Sequence, residues 1–278
     1  MSWTDLSGCA GFTWGHISNM TPVRADGMIS GRTPLVFLPG MLCDGRLWSA
    51  QIAALGIGRP TRVADLTGAD SIEGLANNVL TWLPERSVLV ALSMGGYVAL
   101  EIARRMFASA VSQRLEALVL IATSARPDTV TQRSLRQQLL DLARKGTFQG
   151  VTPRLLPTLI HHARIGEETL TETIFAMAAD VGRNGFIRQQ TAVLHRHDQR
   201  MTLSNIDCPT LILCGDHDQR TPPDCSEEMQ RLIPNAHFHL LADCGHLPSL
   251  ELPDKVNAHI ASFLQSAGPV RPFKPLSH

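Results

Sequence analysis

The sequence predicts an α/β protein with a mostly parallel central sheet, helices on both sheet faces and a helical insertion. Three observations carry that prediction. Short apolar runs recur along the chain between turn residues, stretches of helical periodicity separate them, and one long segment keeps the helical pattern while losing the strand pattern. The 278 residues, 44% of them hydrophobic, are enough to bury a core of that size.

The apolar runs are PLVFLPG at 34–40, SVLVALS at 87–93, ALVLIATSA at 117–125 and PTLILCGD at 209–216. Unbroken Val, Leu and Ile over so few residues suits strands covered on both faces, as in a parallel sheet. SIEGLANNVLTWL after Asp70 and GGYVALEIARRMF after Met94 supply intervening helices. From residue 127 to 204 the strand signal stops. SLRQQLLDLARKG carries Leu135, Leu139, Leu140 and Leu142 as its apolar positions, with Gly146 where a helix C-terminal glycine belongs, and ETLTETIFAMAADVG and GFIRQQTAVLHRH continue in that style. A compact domain seldom carries so long a loop without structure. The expected organisation is therefore a core of residues 1–126, a helical cap or lid of 127–204, and the rest of the core over 205–278.

Lys plus Arg and Asp plus Glu number 25 each, with no long run of either sign, which excludes the basic footprint of a nucleic-acid binder. The expected ligand is a small molecule. Six cysteines at 9, 43, 208, 214, 225 and 244 contain no CxxC pair, so neither a zinc site nor a small disulfide framework is expected. The first thirty residues lack the basic start and apolar core of a signal peptide. No stretch approaches the roughly 20 apolar residues of a membrane helix. The expectation is a cytoplasmic protein with no membrane partner and no metal or cofactor, either monomer or homodimer.

One polar residue stands out. In ALSMGGYVAL, residues 91–100, Ser93 ends an apolar strand and Gly95 and Gly96 open a helix. Ligands of open α/β sheets collect at the carboxyl ends of strands. A serine hydroxyl there becomes a nucleophile when a base takes its proton and nearby donors stabilise the oxyanion. A sharp strand-to-helix turn exposes that hydroxyl and requires small neighbours, which Ala91, Gly95 and Gly96 provide.

ALSMG resembles the GxSxG nucleophile elbow of the α/β-hydrolase superfamily, with Ala91 in place of the first glycine, and three further motifs resemble that family in the expected order. LVFLPGMLCDGRLW is similar to its oxyanion loop, with Pro39 where histidine is usual. The resemblance implies that the backbone amides of Met41 and Met94 form the oxyanion hole. PTLILCGDHDQRTPP has the family's late strand followed by Gly215, two further residues and Asp218, then Thr221 and Pro222. This spacing makes Asp218, rather than Asp216, the implied acid. ADCGHLPSLELPDKVNAHIASFL has the family's GH at Gly245 and His246, with Glu251 and Pro253 following, so His246 is the implied base. The order Ser93, Asp218, His246 is the order of that fold. The resemblance spans about residues 34–264 and leaves out the first 30 residues and the tail after Gln265.

Other histidines have simpler readings. His161 and His162 fall in the insertion, His237 and His239 alternate along a strand, and His259 belongs to the last helix. The HRHD stretch at 195–198 lacks metal-ligand spacing and reads as a solvated helix end. By resemblance the chain is similar to small serine esterases and lactonases. A carbon-carbon bond hydrolase, a thioesterase, a perhydrolase or a hydroxynitrile lyase can use the same triad, and a weakly catalytic ligand receptor is the non-enzymatic alternative.

Overall fold

A computed structural model describes residue 29 and residues 31–108 and 115–266. The expectations for most of the first 30 residues, including Cys9, and for the extreme C-terminus lie outside these. Six strands form one sheet: β1 (Leu35–Leu38), β2 (Thr61–Val63), β3 (Ser87–Leu92), β4 (Leu115–Ile121), β5 (Thr210–Gly215) and β6 (Ala236–Leu241). Their spatial order is β2-β1-β3-β4-β5-β6, and every pair is parallel. Register places Leu38 beside Ala91 and Leu92 beside Ile121, so β1, β3 and β4 end almost level.

Alternate residues of each central strand enter opposite apolar layers. Val36, Leu38, Leu89 and Ala91 join α2 (Ile72–Leu80), α3 (Met94–Ala108) and α6 (Pro223–Leu232) on one face. Leu35, Phe37, Val88 and Val90 join Trp48, α1 (Ser49–Leu55) and α8 (Pro253–Ser266) on the other. Covered on both faces, β1, β3, β4 and β5 have only buried residues, which is why they read as continuous apolar runs. The two edge strands do not. β2 is the polar tripeptide Thr-Arg-Val, absent from the sequence reading, and β6 exposes His237, His239 and Leu240.

Helices α4 (Val130–Arg144) and α5 (Glu168–Leu194) lie between β4 and β5, with short 3-10 turns between them. α4 begins earlier than its apolar pattern suggested, because Thr129 and Gln132 form a reciprocal capping box ahead of it. It ends at Gly146 (φ 97), where Thr147 N–H reaches the Leu142 carbonyl and Gly146 N–H that of Ala143. The expected apolar face of α4 is only partly right. Leu140 is buried, but Leu135 and Leu142 are about half exposed, since the helix buries a narrow stripe completed by Ala143. The two expected helices from 168 to 194 are joined as α5 across a kink at Gly182 (φ 67). A four-residue α7 (Pro248–Glu251) precedes α8. No described helix is long and apolar enough to cross a membrane.

Candidate active site

Ser93 occupies the single residue between β3 and α3, with φ at +53, a left-handed conformation that side chains adopt only under constraint. The constraint is visible. Ser93 N–H donates to the Ile121 carbonyl (3.0 Å), and its own carbonyl accepts from Gly96 N–H (2.9 Å) and the Thr123 hydroxyl (2.8 Å). The turn also presses against β1: a Cβ on Gly95 would sit 2.1 Å from the Leu38 carbonyl oxygen, so only glycine fits. Ala91 lies wholly buried within β3 and outside the positive-φ set, so the backbone there accepts a methyl group.

The other two elements converge from the opposite side. β5 ends in Gly215, where a Cβ would lie 2.2 Å from the Gly245 carbonyl oxygen, so the loops after β5 and β6 touch. Asp216 stitches these loops together by accepting Cys244 N–H (3.1 Å), and His217 N–H donates to the Cys244 carbonyl (2.9 Å). That contact is structural, and Asp216 does not reach His246. Asp218 does: both its oxygens lie 2.9 Å from His246 Nδ1. His246 Nε2 is 2.9 Å from Ser93 Oγ. The structure thus joins Ser93, His246 and Asp218 in one hydrogen-bonded line, with Asp218 and His246 almost fully buried.

Electrostatics fix the direction of that line. Burial works against the charged form of Asp218, but the neighbouring His246, the Thr221 N–H and the Thr221 hydroxyl outweigh it and hold the carboxyl below its ordinary range. Its Oδ1 accepts from Arg220 N–H (2.8 Å) and Thr221 N–H (3.0 Å), and its Oδ2 from the Thr221 hydroxyl (2.8 Å). An ionised carboxylate only accepts, so Nδ1 of His246 carries the proton and Nε2 is free to accept from Ser93. The arrangement can pass the serine proton to His246 and stabilise the imidazolium that results.

His246 is positioned by its flanks. Glu251, buried at the end of α7, accepts N–H bonds from Gly245 (3.0 Å) and Leu247 (3.1 Å), on either side of the histidine. It accepts a third from His161 (2.7 Å), and His246 N–H itself donates to the Leu159 carbonyl (2.9 Å). The segment between α4 and α5 therefore touches the histidine loop directly.

Met94 opens α3, so its N–H has no carbonyl one turn earlier in the helix to bond. Met41 follows Gly40, whose missing Cβ would stand 3.5 Å from Ser93 Cβ, so the loop after β1 passes beside the elbow. Two contacts of this site escaped the sequence reading: Thr123, which props the elbow, and Gln189 of α5, whose side chain bonds Leu42 N–H (3.0 Å). Neither sits in a local motif. The available signal for Gln189 was a polar residue on the buried stripe of α5 between Phe186 and Val193. Of the remaining histidines, His161, His162 and His217 cluster with ring centroids 4.1–6.1 Å apart, and His237, His239 and His259 lie on β6 and α8 as expected. Among the described residues no cluster of His, Cys, Asp and Glu has the geometry to hold a metal ion.

Comparison with known proteins bears on the fold and the family. A methyl ester esterase acting on pimeloyl-acyl-carrier protein, from Pectobacterium atrosepticum, is 26% identical over 262 residues, covering 85% of this chain and 96% of that protein. The solved structure of a thermophilic esterase from Thermogutta terrifontis superposes with a TM-score of 0.73 at 28% identity, covering 86% of this chain and 91% of that one. The enol-lactonase from Burkholderia xenovorans LB400 shares the fold, with a TM-score of 0.74 at 24% identity, and covers 86% of this chain and 94% of its own. With residues 35–259 matching the family's sequence profile and the fold shared with these enzymes, the chain is an enzyme and belongs to the alpha/beta hydrolase family.

Proposed function

We propose that this enzyme hydrolyses a small-molecule carboxylic ester or lactone through an acyl-enzyme. The observation that carries the reading is the unbroken line Ser93 Oγ, His246, Asp218, each step 2.9 Å. The esterase names of the relative and of the Thermogutta structure support the ester over the other substrates open to such a triad. His246 Nε2 takes the Ser93 proton as Oγ attacks the carbonyl carbon, and Asp218 holds the ring and offsets its charge. Met41 and Met94 N–H groups receive the oxyanion, with the N-terminus of α3 adding its partial positive charge. Collapse of the tetrahedral intermediate expels the alcohol, which leaves with the proton from His246. Water, deprotonated by the same nitrogen, attacks the acyl carbon, and the acid leaves as His246 returns that proton to Ser93 Oγ. Residues 127–204 serve as the cap over this centre, with the core on either side at 1–126 and 205–278.

Reaction with a fluorophosphonate probe and turnover of p-nitrophenyl acetate or butyrate test the reading. The wild type should show both, and Ser93→Ala should lose both while keeping its melting temperature. A wild type that turns over no ester or lactone, or an Ser93→Ala variant as active as the wild type, overturns it.

A further inference from the structure

We propose that Gln189 is a positioning residue of the oxyanion loop, making α5 a working part of the catalytic centre; this rests on the acyl-enzyme reading above. Cys43 N–H donates to the Gly40 carbonyl (3.2 Å), closing a four-residue turn with Met41 and Leu42 at its centre. Leu42 is the third residue of that turn and has φ 59. A turn with positive φ at this position normally carries glycine or asparagine there, because a side chain is strained. For a leucine the comfortable alternative is the turn with the Met41–Leu42 peptide rotated and φ negative. Something must hold the peptide against that rotation.

Gln189 does so. It is wholly buried, its Oε1 accepts Leu42 N–H (3.0 Å), and its Nε2 donates to the Leu66 carbonyl (3.2 Å) after β2. The two backbone partners fix the amide's orientation, since the reverse would face donor to donor and acceptor to acceptor. The other end of the same peptide, the Met41 carbonyl, faces the Cys43 thiol (3.5 Å). α5 is itself fixed here by Arg188, which bonds the Thr67 carbonyl. The Met41 N–H belongs to the preceding peptide of the same tight turn and cannot keep its aim if the turn changes form. The Ser93 elbow, by contrast, is held largely by its own core strands, so the two halves of the oxyanion hole have different supports.

The test compares Gln189→Met, which keeps length and removes both hydrogen bonds, with Gln190→Met, an equally buried change on the same helix that faces Arg136 instead. Gln189→Met should lower kcat and the rate of fluorophosphonate reaction by about 10- to 100-fold with KM changed little, because the loss falls on the oxyanion and not on the bound substrate. Gln190→Met should leave both rates unchanged. Adding Leu42→Gly to Gln189→Met should restore most of the rate, because glycine holds positive φ without support. Equal losses in Gln189→Met and Gln190→Met, or no recovery with Leu42→Gly, would make Gln189 merely structural and overturn the inference. If Gln189→Met does not fold, Gln189→Glu, which keeps the acceptor for Leu42 N–H, replaces it: a kcat within about threefold of wild type supports the inference, and a loss of 10-fold or more overturns it. A wild type inert to the phosphonate overturns the acyl-enzyme reading and this inference with it. A reactive wild type matched by Gln189→Met overturns the inference alone.

Discussion

At Gly95 a single hydrogen decides whether the elbow can form. The absent Cβ would overlap the Leu38 carbonyl oxygen, a backbone atom that cannot swing aside. Gly95→Ala is therefore expected to cost about 3 kcal/mol or more, read as a lower urea midpoint, with activity lost in parallel. Ala91 is the converse. Its methyl group packs in the core of β3, so Ala91→Gly should retain activity and lose about 0.5–1 kcal/mol of stability, whereas Ala91→Leu should abolish activity by displacing the strand end. Asp218 carries a pH prediction. Its folded-state pKa is depressed, so its contribution to stability is present above the unfolded value of about 3.9 and fades as pH falls through the lower folded value. The melting-temperature gap between wild type and Asp218→Asn should hold from pH 8 to 5 and close only in more acid solution. A gap that closes between pH 7 and 5 would show that this carboxylate is not held as its contacts indicate.

At the scale of elements, the loops that carry Ser93, Asp218 and His246 hang from strand ends that differ in how they are braced. The loop after β6 has no regular structure of its own until α7, and Glu251 supplies the order by gathering three N–H groups around His246. Hydrogen bonds to a charged acceptor are stronger than neutral ones, and losing one in a buried place costs about 1.5–3 kcal/mol. Glu251→Gln replaces an accepting oxygen with an amide that donates toward other donors. It should lower stability by about that amount and reduce kcat as His246 loses its support. A variant that melts and turns over like wild type would mean the loop is held well enough by Asp216, His217 and the Leu159 carbonyl. The same loop is linked through Leu159 and His161 to the region between α4 and α5, so changes there should reach His246.

At the scale of the molecule, two apolar layers sandwich the sheet, and all five cysteines among the described residues are buried as free thiols. Burial pushes Cys43, Cys208 and Cys214 up to about 12 and raises Cys225 and Cys244 as well. A thiol so protonated is a poor nucleophile. Iodoacetamide at pH 7.5 should leave these five unmodified in the native protein and alkylate them in denaturant, as peptide mass spectrometry would show. Native alkylation at Cys214, beside Asp218, would mean that the loop after β5 opens readily.

Much of this molecule was legible before any fold was known, for a definable reason. Strands covered on both faces must be apolar throughout, and an elbow that meets a neighbouring strand must use glycine, so β1, β3, β4, β5 and the Ser93 turn are written in local sequence. Asp218 and His246 were implied only by the resemblance of their loops to the family's motifs; what the structure adds is that the glycines before them, Gly215 and Gly245, stand where backbones pass too closely for a side chain. β2 was not legible, since an edge strand of three residues needs no apolar run. The exposed Leu135 and Leu142 misled because a hydrophobic pattern states what can be buried, not how wide a face the neighbours will cover. Thr123, Gln189 and the triple role of Glu251 were decided only by tertiary structure. The deciding partners, Ser93 for Thr123, Leu42 and Leu66 for Gln189 and His161 for Glu251, are distant in sequence, and a hydrogen bond to them depends on where separate elements come to rest, which no local pattern encodes.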